Sequence, residues 1–256
     1  MKRVIREVGP PLAGVGGLIV IWWVVSLFVS ASTLPSPATV WSAFLHGVSN
    51  GSLPRAAGKT LLRLAFSFGA AIAIGTLIGV GLALNEFARR SIRPIIVALQ
   101  IMPFIAWLPL AVIWFGANEK AVVFVAIVGS FPSMTLATMS SMRQVPPLLR
   151  RAGRTLGAEG WTLYRFVIFP AALPGYIGGL QQAWGFAWKA LMASELIVTA
   201  ANATGLGQLL AQRATDVPGL LAAVAVIVAI GVLVDYLIFN RLDRRVRRRR
   251  GLLQES

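Results

Sequence analysis

Residues 151–170 read RAGRTLGAEGWTLYRFVIFP. The stretch is polar and amphipathic, and long apolar runs lie on both sides of it. Leu148, Leu149, Ala152 and Leu156 recur at helical spacing just before and within it, with Arg150, Arg151 and Arg154 around them. Gly157 stops or bends that helix. Glu159-Gly160-Trp161 can start a second helix whose apolar surface is Trp161, Leu163, Tyr164, Phe166 and Val167. Pro170 is expected to close it. Gly157, Val167 ten positions on and Phe169-Pro170 together give a G-x9-V-x-F-P pattern. Two short exposed helices at an angle suit a groove in a partner and can pass rigid-body motion to the spans. The competing reading is an amphipathic helix lying on lipid.

The flanking sequence says where this element sits. The chain has 256 residues, is 57% hydrophobic and has a mean hydropathy of +0.75. Soluble domains are about 45–50% apolar, so the excess points to a membrane. A spanning helix needs about 20 apolar residues, and six runs qualify: 12–30, 61–84, 94–115, 120–140, 171–199 and 218–240. In lipid the backbone must bond to itself, and no barrel-like alternation is seen, so the spans are expected to be helices. The fold class is therefore all-α, a single polytopic domain over residues 1–256. Residues 41–48 and 205–212 suit short helices at the outer face, and the short 116–119 loop makes spans three and four a tight hairpin.

Charge sets the orientation. The 24 Lys and Arg residues give a net charge of +15 and a pI near 11.7. With the N-terminus inside, 18 of them fall in cytoplasmic segments and 4 (Arg55, Lys59, Lys120, Arg213) outside. The positive-inside rule then puts both termini and the 144–170 loop in the cytoplasm. The RRVRRRR run at 244–250 follows a span, so it reads as an anchor on anionic lipid rather than a nucleic-acid patch. The first apolar run lacks a small-residue cleavage site and is expected to be retained.

Little in the chain supports catalysis. There is no cysteine, one histidine (His46) and nine acids. That excludes disulfides and cysteine metal sites, and no metal cluster or nucleophile paired with a histidine is visible. Gly58-Lys59-Thr60 ends like a phosphate-binding loop, but the pattern needs Gly where Leu53 stands.

The loop resembles the EAA loop of permeases of ABC importers, in the nitrate/sulfonate/taurine/bicarbonate branch. The family loop reads E-A-A-R-x-L-G, then an apolar residue and L-P. Arg151-Ala152-Gly153-Arg154-Thr155-Leu156-Gly157, Val167 and Phe169-Pro170 occupy those positions. The opening Glu is Arg151 here and the second Ala is Gly153; Glu159 is a candidate to supply the missing carboxylate. Residues 61–84, Ile101-Met102-Pro103 through Trp114-Phe115-Gly116, Phe131-Pro132, Ala172-Leu173-Pro174, Glu195-Leu196-Ile197 and Gly205-Leu206-Gly207 resemble the same branch. The resemblance implies a type I, MetI-like permease fold with its importer core at 61–245 and six transmembrane helices in the bacterial inner membrane. It implies no enzyme activity and no cofactor in this chain, because ATP and Mg are bound by two separate ATPase subunits. Arg151, Ala152, Arg154, Leu156, Gly157, Glu159, Trp161 and Pro170 would couple to them. A second copy of the chain and an extracytoplasmic binding protein complete the implied assembly. The implied solute is a small anion, an aliphatic sulfonate or taurine first, nitrate or bicarbonate next. A secondary anion carrier without an ATPase is the alternative from a different class; it predicts inverted repeats with matching broken helices.

Ionisable groups inside spans are functional candidates by default. Gln182 and Lys189 are seven apart and share a helix face; Gln181, Trp188 and Glu195 form a neighbouring stripe at the same interval. A face of amides, tryptophan and lysine suits a wet anion pathway. The plainer reading of Lys189 is a structural ion pair, though its spacing from Glu195 argues against pairing within the helix. Arg63 is expected to snorkel to the outer interface. Gly75-xxx-Gly79 is a small-residue pair that lets helices approach closely.

Overall fold

The computed structural model describes residues 2–198 and 204–249, and no strand occurs among them. The helices are α1 (Lys2–Ser26), α2 (Pro37–Ser49), α3 (Ser52–Leu84), α4 (Glu86–Ile101), α5 (Leu108–Phe115) and α6 (Glu119–Arg143), followed by α7 (Pro147–Thr155), α8 (Gly160–Leu163), α9 (Phe169–Ile197), α10 (Leu206–Gln212), α11 (Val217–Val234) and α12 (Asn240–Arg249). π-helical turns join α8 to α9 (Tyr164–Ile168) and α11 to α12 (Asp235–Phe239). Local chemistry sets several starts. Ser36, Asn85, Asn118 and Asp216 each accept a backbone N–H of the first turn they precede. The short helices expected over 41–48 and 205–212 are present as α2 and α10.

Among the described residues four helices are long and apolar enough to cross a membrane: Ser52–Leu84, Glu119–Arg143, Gly160–Ile197 and Val217–Val246. A fifth crossing is the pair Glu86–Ile101 and Phe104–Phe115, bent by 98°. The straight span expected over 94–115 is thus broken. Pro103 forces Met102 into extended backbone (ψ 127°), and the chain restarts as a 3₁₀ turn, Phe104–Trp107, before α5. At the N-terminus α1 ends at Ser26, four residues before the end of the run expected over 12–30. The chain then turns, and Trp22 Nε1 donates to the Pro35 carbonyl at 3.2 Å.

α6 lies between α3 and α9 and is the core of the bundle. Glycines make both contacts possible. A Cβ on Gly79 would stand 2.6 Å from the Thr135 carbonyl, and one on Gly75 would stand 2.7 Å from Met134 Cβ. On the other side, a Cβ on Gly179 would stand 2.3 Å from Ala137 Cβ, and one on Gly175 2.9 Å from Ser141 Cβ. The Ser and Thr residues of α6, and Pro132, made it the least apolar of the expected spans. They belong to a helix shielded from lipid: Pro132, Ser133, Thr135 and Thr138 are buried. Ser130, Thr135, Thr138, Ser140 and Ser141 donate to carbonyls of the preceding turn.

One end of the bundle is tied by a buried charge network. Glu195 is 0% exposed, and its carboxylate accepts from Arg63 Nη1 (2.7 Å), Thr60 Oγ1 (2.9 Å) and the Gly207 amide (3.0 Å). Thr60 Oγ1 in turn accepts from the Leu206 amide at 2.8 Å. Arg63 Nη2 reaches Glu119 at 2.7 Å. Gly205 and Gly207 are small because the chain closes on this carboxylate; a Cβ on Gly205 would stand 2.3 Å from Glu195 Oε1. The expected snorkelling of Arg63 does not occur: it is 6% exposed. Two carboxylates brought together by α6 and α9 hold the guanidinium inside, a tertiary pairing that outweighs escape to the interface.

Two outcomes follow for stability. Glu195→Ala removes the buried partner of Arg63 and of Thr60, leaving Arg63 only the exposed carboxylate of Glu119, and should cost about 3 kcal/mol, read as a lower melting temperature of the detergent-solubilised chain. Gly79→Val should cost about 1–3 kcal/mol by forcing α3 off α6. Gly81→Val, at a position whose Cβ meets nothing within 4 Å, should melt close to wild type.

Candidate functional site

The loop of residues 144–170 folds as a wedge. α7 ends in a Schellman motif: the Ala158 amide donates to the Gly153 carbonyl and the Gly157 amide to the Arg154 carbonyl, each at 2.9 Å. Gly157 has φ +82°, the left-handed conformation this motif requires. The chain turns at Glu159 and re-enters helix at Gly160. Gly153 is the contact point between the two arms, since a Cβ there would stand 2.9 Å from both Leu163 Cδ1 and Val167 Cγ2. Below them Leu163 and Ile168 pack with Met142, Val145 and Ala172. Arg150 Nη2 donates to the Met142 carbonyl at 2.8 Å and pins α7 to the end of α6.

The second arm is not closed at Pro170 as the sequence suggested. Helix runs without interruption from Gly160 to Ile197. A π turn precedes the proline, with the Phe169 amide bonded to the Tyr164 carbonyl. Pro170 lies at the start of the α9 segment and Pro174 within it, both tolerated in continuous helix. The wedge and the spanning helix are therefore one rod.

Its outer surface is apolar and basic. Leu156 is 87% and Trp161 64% exposed, and Leu148 and Phe166 are exposed beside them. Arg151, Ala152, Arg154, Gly157, Glu159 and Pro170 are exposed as well. Trp161 is held edge-on to Phe169 at 5.7 Å between ring centroids. Large apolar side chains left exposed among basic ones suit an interaction surface.

Above the wedge, α4, α6 and α9 enclose a polar cleft. Its lower part is a cavity of about 470 Å³ walled by Glu86, Arg89, Arg90, Arg93, Arg143 and Gln144. An adjoining cavity of about 340 Å³ is walled by Arg93, Gln100, Ser133, Ser140, Gln144 and Gln182, with Gly175 and Gly179 beside them. The two share Arg93, Met139, Ser140 and Gln144, so they form one path. Glu86 holds Arg89 and Arg90 in ion pairs and approaches Arg143 at 3.7 Å. Among the described residues no three His, Asp or Glu side chains assemble as metal ligands.

The structure divides the α9 candidates. Gln182 lines the cleft. Lys189 is exposed on the same face, its Nζ 5.5 Å from the Phe186 ring centre. The other stripe faces inward. Gln181 donates to Asp235 Oδ1 at 2.8 Å, Trp188 stacks on Trp184 at 5.9 Å, and Glu195 is enclosed in the ion network. Glu195 therefore lines no path here, because all of its surface is consumed by the protein. Sequence reasoning missed Arg93, Gln100, Ser133, Ser140 and Gln144 as cleft residues. A signal was present: Arg93 and Gln100, and Ser133 and Ser140, stand seven apart, the same interval as Gln182 and Lys189.

This architecture has relatives. A family model described as "binding-protein-dependent transport system inner membrane component" matches residues 71–248. The taurine transport system permease protein TauC of Escherichia coli (strain K12) is 31% identical over 252 residues, covering 94% of this chain and 90% of TauC. The bicarbonate transport system permease protein CmpB of Synechococcus elongatus is 28% identical, covering 88% and 84%. The putative aliphatic sulfonates transport permease protein SsuC of Bacillus subtilis is 26% identical, covering 90% and 83%. Among solved structures, an inward-facing form of the MetNI methionine ABC transporter shares the fold, with a TM-score of 0.61 at 23% identity, covering 79% of this chain and 96% of that one. The helical bundle, its exposed wedge and these matches converge on one assignment: the chain belongs to the binding-protein-dependent inner-membrane component family and is the permease subunit of an ABC importer.

Proposed function

We propose that two copies of this chain form the pathway for a small anion, an aliphatic sulfonate or taurine-type solute, driven by two cytoplasmic ATPase subunits docked on the α7–α8 wedge. The observation that carries this is the unbroken rod from Gly160 to Ile197. It joins an exposed apolar docking surface to the helix that lines the cleft, so a displaced wedge must move the pathway wall. The basic charge of the cleft supports an anionic solute, and names such as taurine, aliphatic sulfonates and bicarbonate among relatives support the same class. A binding protein delivers the solute from the outer side, and both termini lie in the cytoplasm.

The second copy is supported by the exposed face of α9. Gly175, Gln182, Lys189 and Leu196 recur there every seven residues. Gly178 and Gly185 have open space where a Cβ would stand, which permits close approach of another helix. The broken α4–α5 pair favours the secondary-carrier alternative, but that class calls for a matching break in the other half. One bent pair occurs among the described residues.

Two experiments test the proposal. Trp161→Glu and Leu156→Glu alter only exposed surface, so the chain should fold; each should weaken co-purification of the ATPase at least tenfold, about 1.4 kcal/mol or more. Gly157→Val places a β-branched residue at φ +82° and should cost about 1–2 kcal/mol at the wedge. Its expected readout in proteoliposomes is loss of solute-stimulated ATP hydrolysis. Uptake that persists without ATP in both would favour the secondary carrier.

A further inference from the structure

The cleft contains polar groups that the protein leaves without partners, and they converge on one place. Among the glutamines of the described helices and their ends, Gln181 and Gln208 are hydrogen-bonded to Asp235 and to the Val198 carbonyl. Gln100, Gln144 and Gln182 have no side-chain partner among the described residues, and all three wall the 340 Å³ cavity; Gln212, at the end of α10, lies away from it. On α6 the hydroxyls of Ser130, Thr135, Thr138, Ser140 and Ser141 turn back onto the helix's own carbonyls. Ser133 does not. It is 1% exposed, its Oγ has no partner, and it lines the same cavity. Buried hydroxyls without a partner are rare in native structures and call for an explanation such as an absent ligand.

Charge shows the same pattern. Arg89, Arg90 and Arg143 share Glu86. Arg93 makes no ion pair among the described residues, and it stands where the two cavities meet. No carboxylate lines the upper cavity. One guanidinium, three amides and one hydroxyl thus present hydrogen-bond donors, with a single uncompensated positive charge. A volume of 340 Å³ is on the order of ten waters, enough for a small anion that keeps part of its hydration.

We infer that Arg93, Gln100, Ser133 and Gln182 form a solute-binding site that selects a small monoanion over a zwitterion carrying the same anionic group. This rests on the cleft being the pathway, as proposed above. The anionic oxygens are met by Arg93 and the neutral donors. An ammonium on the same solute finds no carboxylate and is repelled by Arg93. Glu86 cannot serve it, because three arginines hold that carboxylate at the mouth.

Ethanesulfonate and taurine differ only by that ammonium and make a matched pair of probes. Binding is measured by equilibrium dialysis on the permease–ATPase complex in nanodiscs, without nucleotide and without binding protein, so that the transmembrane site alone is read. The complex should bind ethanesulfonate at least tenfold tighter than taurine. Arg93→Gln should weaken ethanesulfonate at least tenfold, Arg93→Lys should recover most of it, and Ser133→Ala should lose several-fold. Gln182→Glu should lower ethanesulfonate and raise taurine. Arg93 and Gln182 are exposed, so these variants should still assemble with the ATPase. Equal or tighter taurine binding, or wild-type affinity in Arg93→Gln, overturns the site. A complex that forms and hydrolyses ATP yet binds neither probe also overturns it, and leaves the permease proposal standing. Failure to form any ATPase complex would instead count against that proposal.

Discussion

The rest of the structure depends on how closely α6 approaches its two neighbours. Gly75 and Gly79 on α3, and Gly175 and Gly179 on α9, leave no room for a Cβ against α6. Between apolar helices in lipid there is little hydrophobic drive, so packing of this kind supplies the association. The approach also decides what α6 does with its polar residues. Most of its hydroxyls bond within the helix, and Ser133 is left facing the cleft. A helix that looked poorly suited to lipid is thus suited to the interior, with Ser133 on the face that lines the cleft.

The two ends of the bundle are fastened by different means. At one end, a buried carboxylate and guanidinium join α3, α9 and the start of α10, with Glu119 of α6 on the far side of Arg63. Buried pairs of this kind add little net stability but are costly to break singly, which makes them register devices. At the other, the wedge is fastened by packing through Gly153, Leu163 and Ile168, while its other face stays bare. A firm latch at one end and an exposed wedge at the other suit rigid-body rocking of α9 rather than local unfolding.

Much of this was legible in the sequence. The apolar runs, the short helices α2 and α10, the tight turn before α6 and the helix stop at Gly157 follow from length, caps and glycine. What was not legible is tertiary. Nothing local says that Pro103 breaks a span by 98° while Pro132, Pro170 and Pro174 leave helices continuous. Arg63 and Glu195 are 132 residues apart, and their pairing exists only once α3 and α9 are assembled. The cleft takes a few polar residues from each of three helices, too few on any one to stand out from packing.

The central claim is that the wedge and the pathway wall move as one body. The chain has no cysteine, so spin labels can be placed singly at Thr162→Cys on the wedge and Ile197→Cys at the far end of α9. Pulsed dipolar spectroscopy on the assembled importer, with and without ATP, gives the distance between copies at each level. The distance between the two labels within one chain comes from the double variant. The account predicts ATP-dependent changes between copies at both levels, with the distance within the chain unchanged. A shift at 162 that leaves the 197 pair in place, or that alters the distance within the chain, would contradict it.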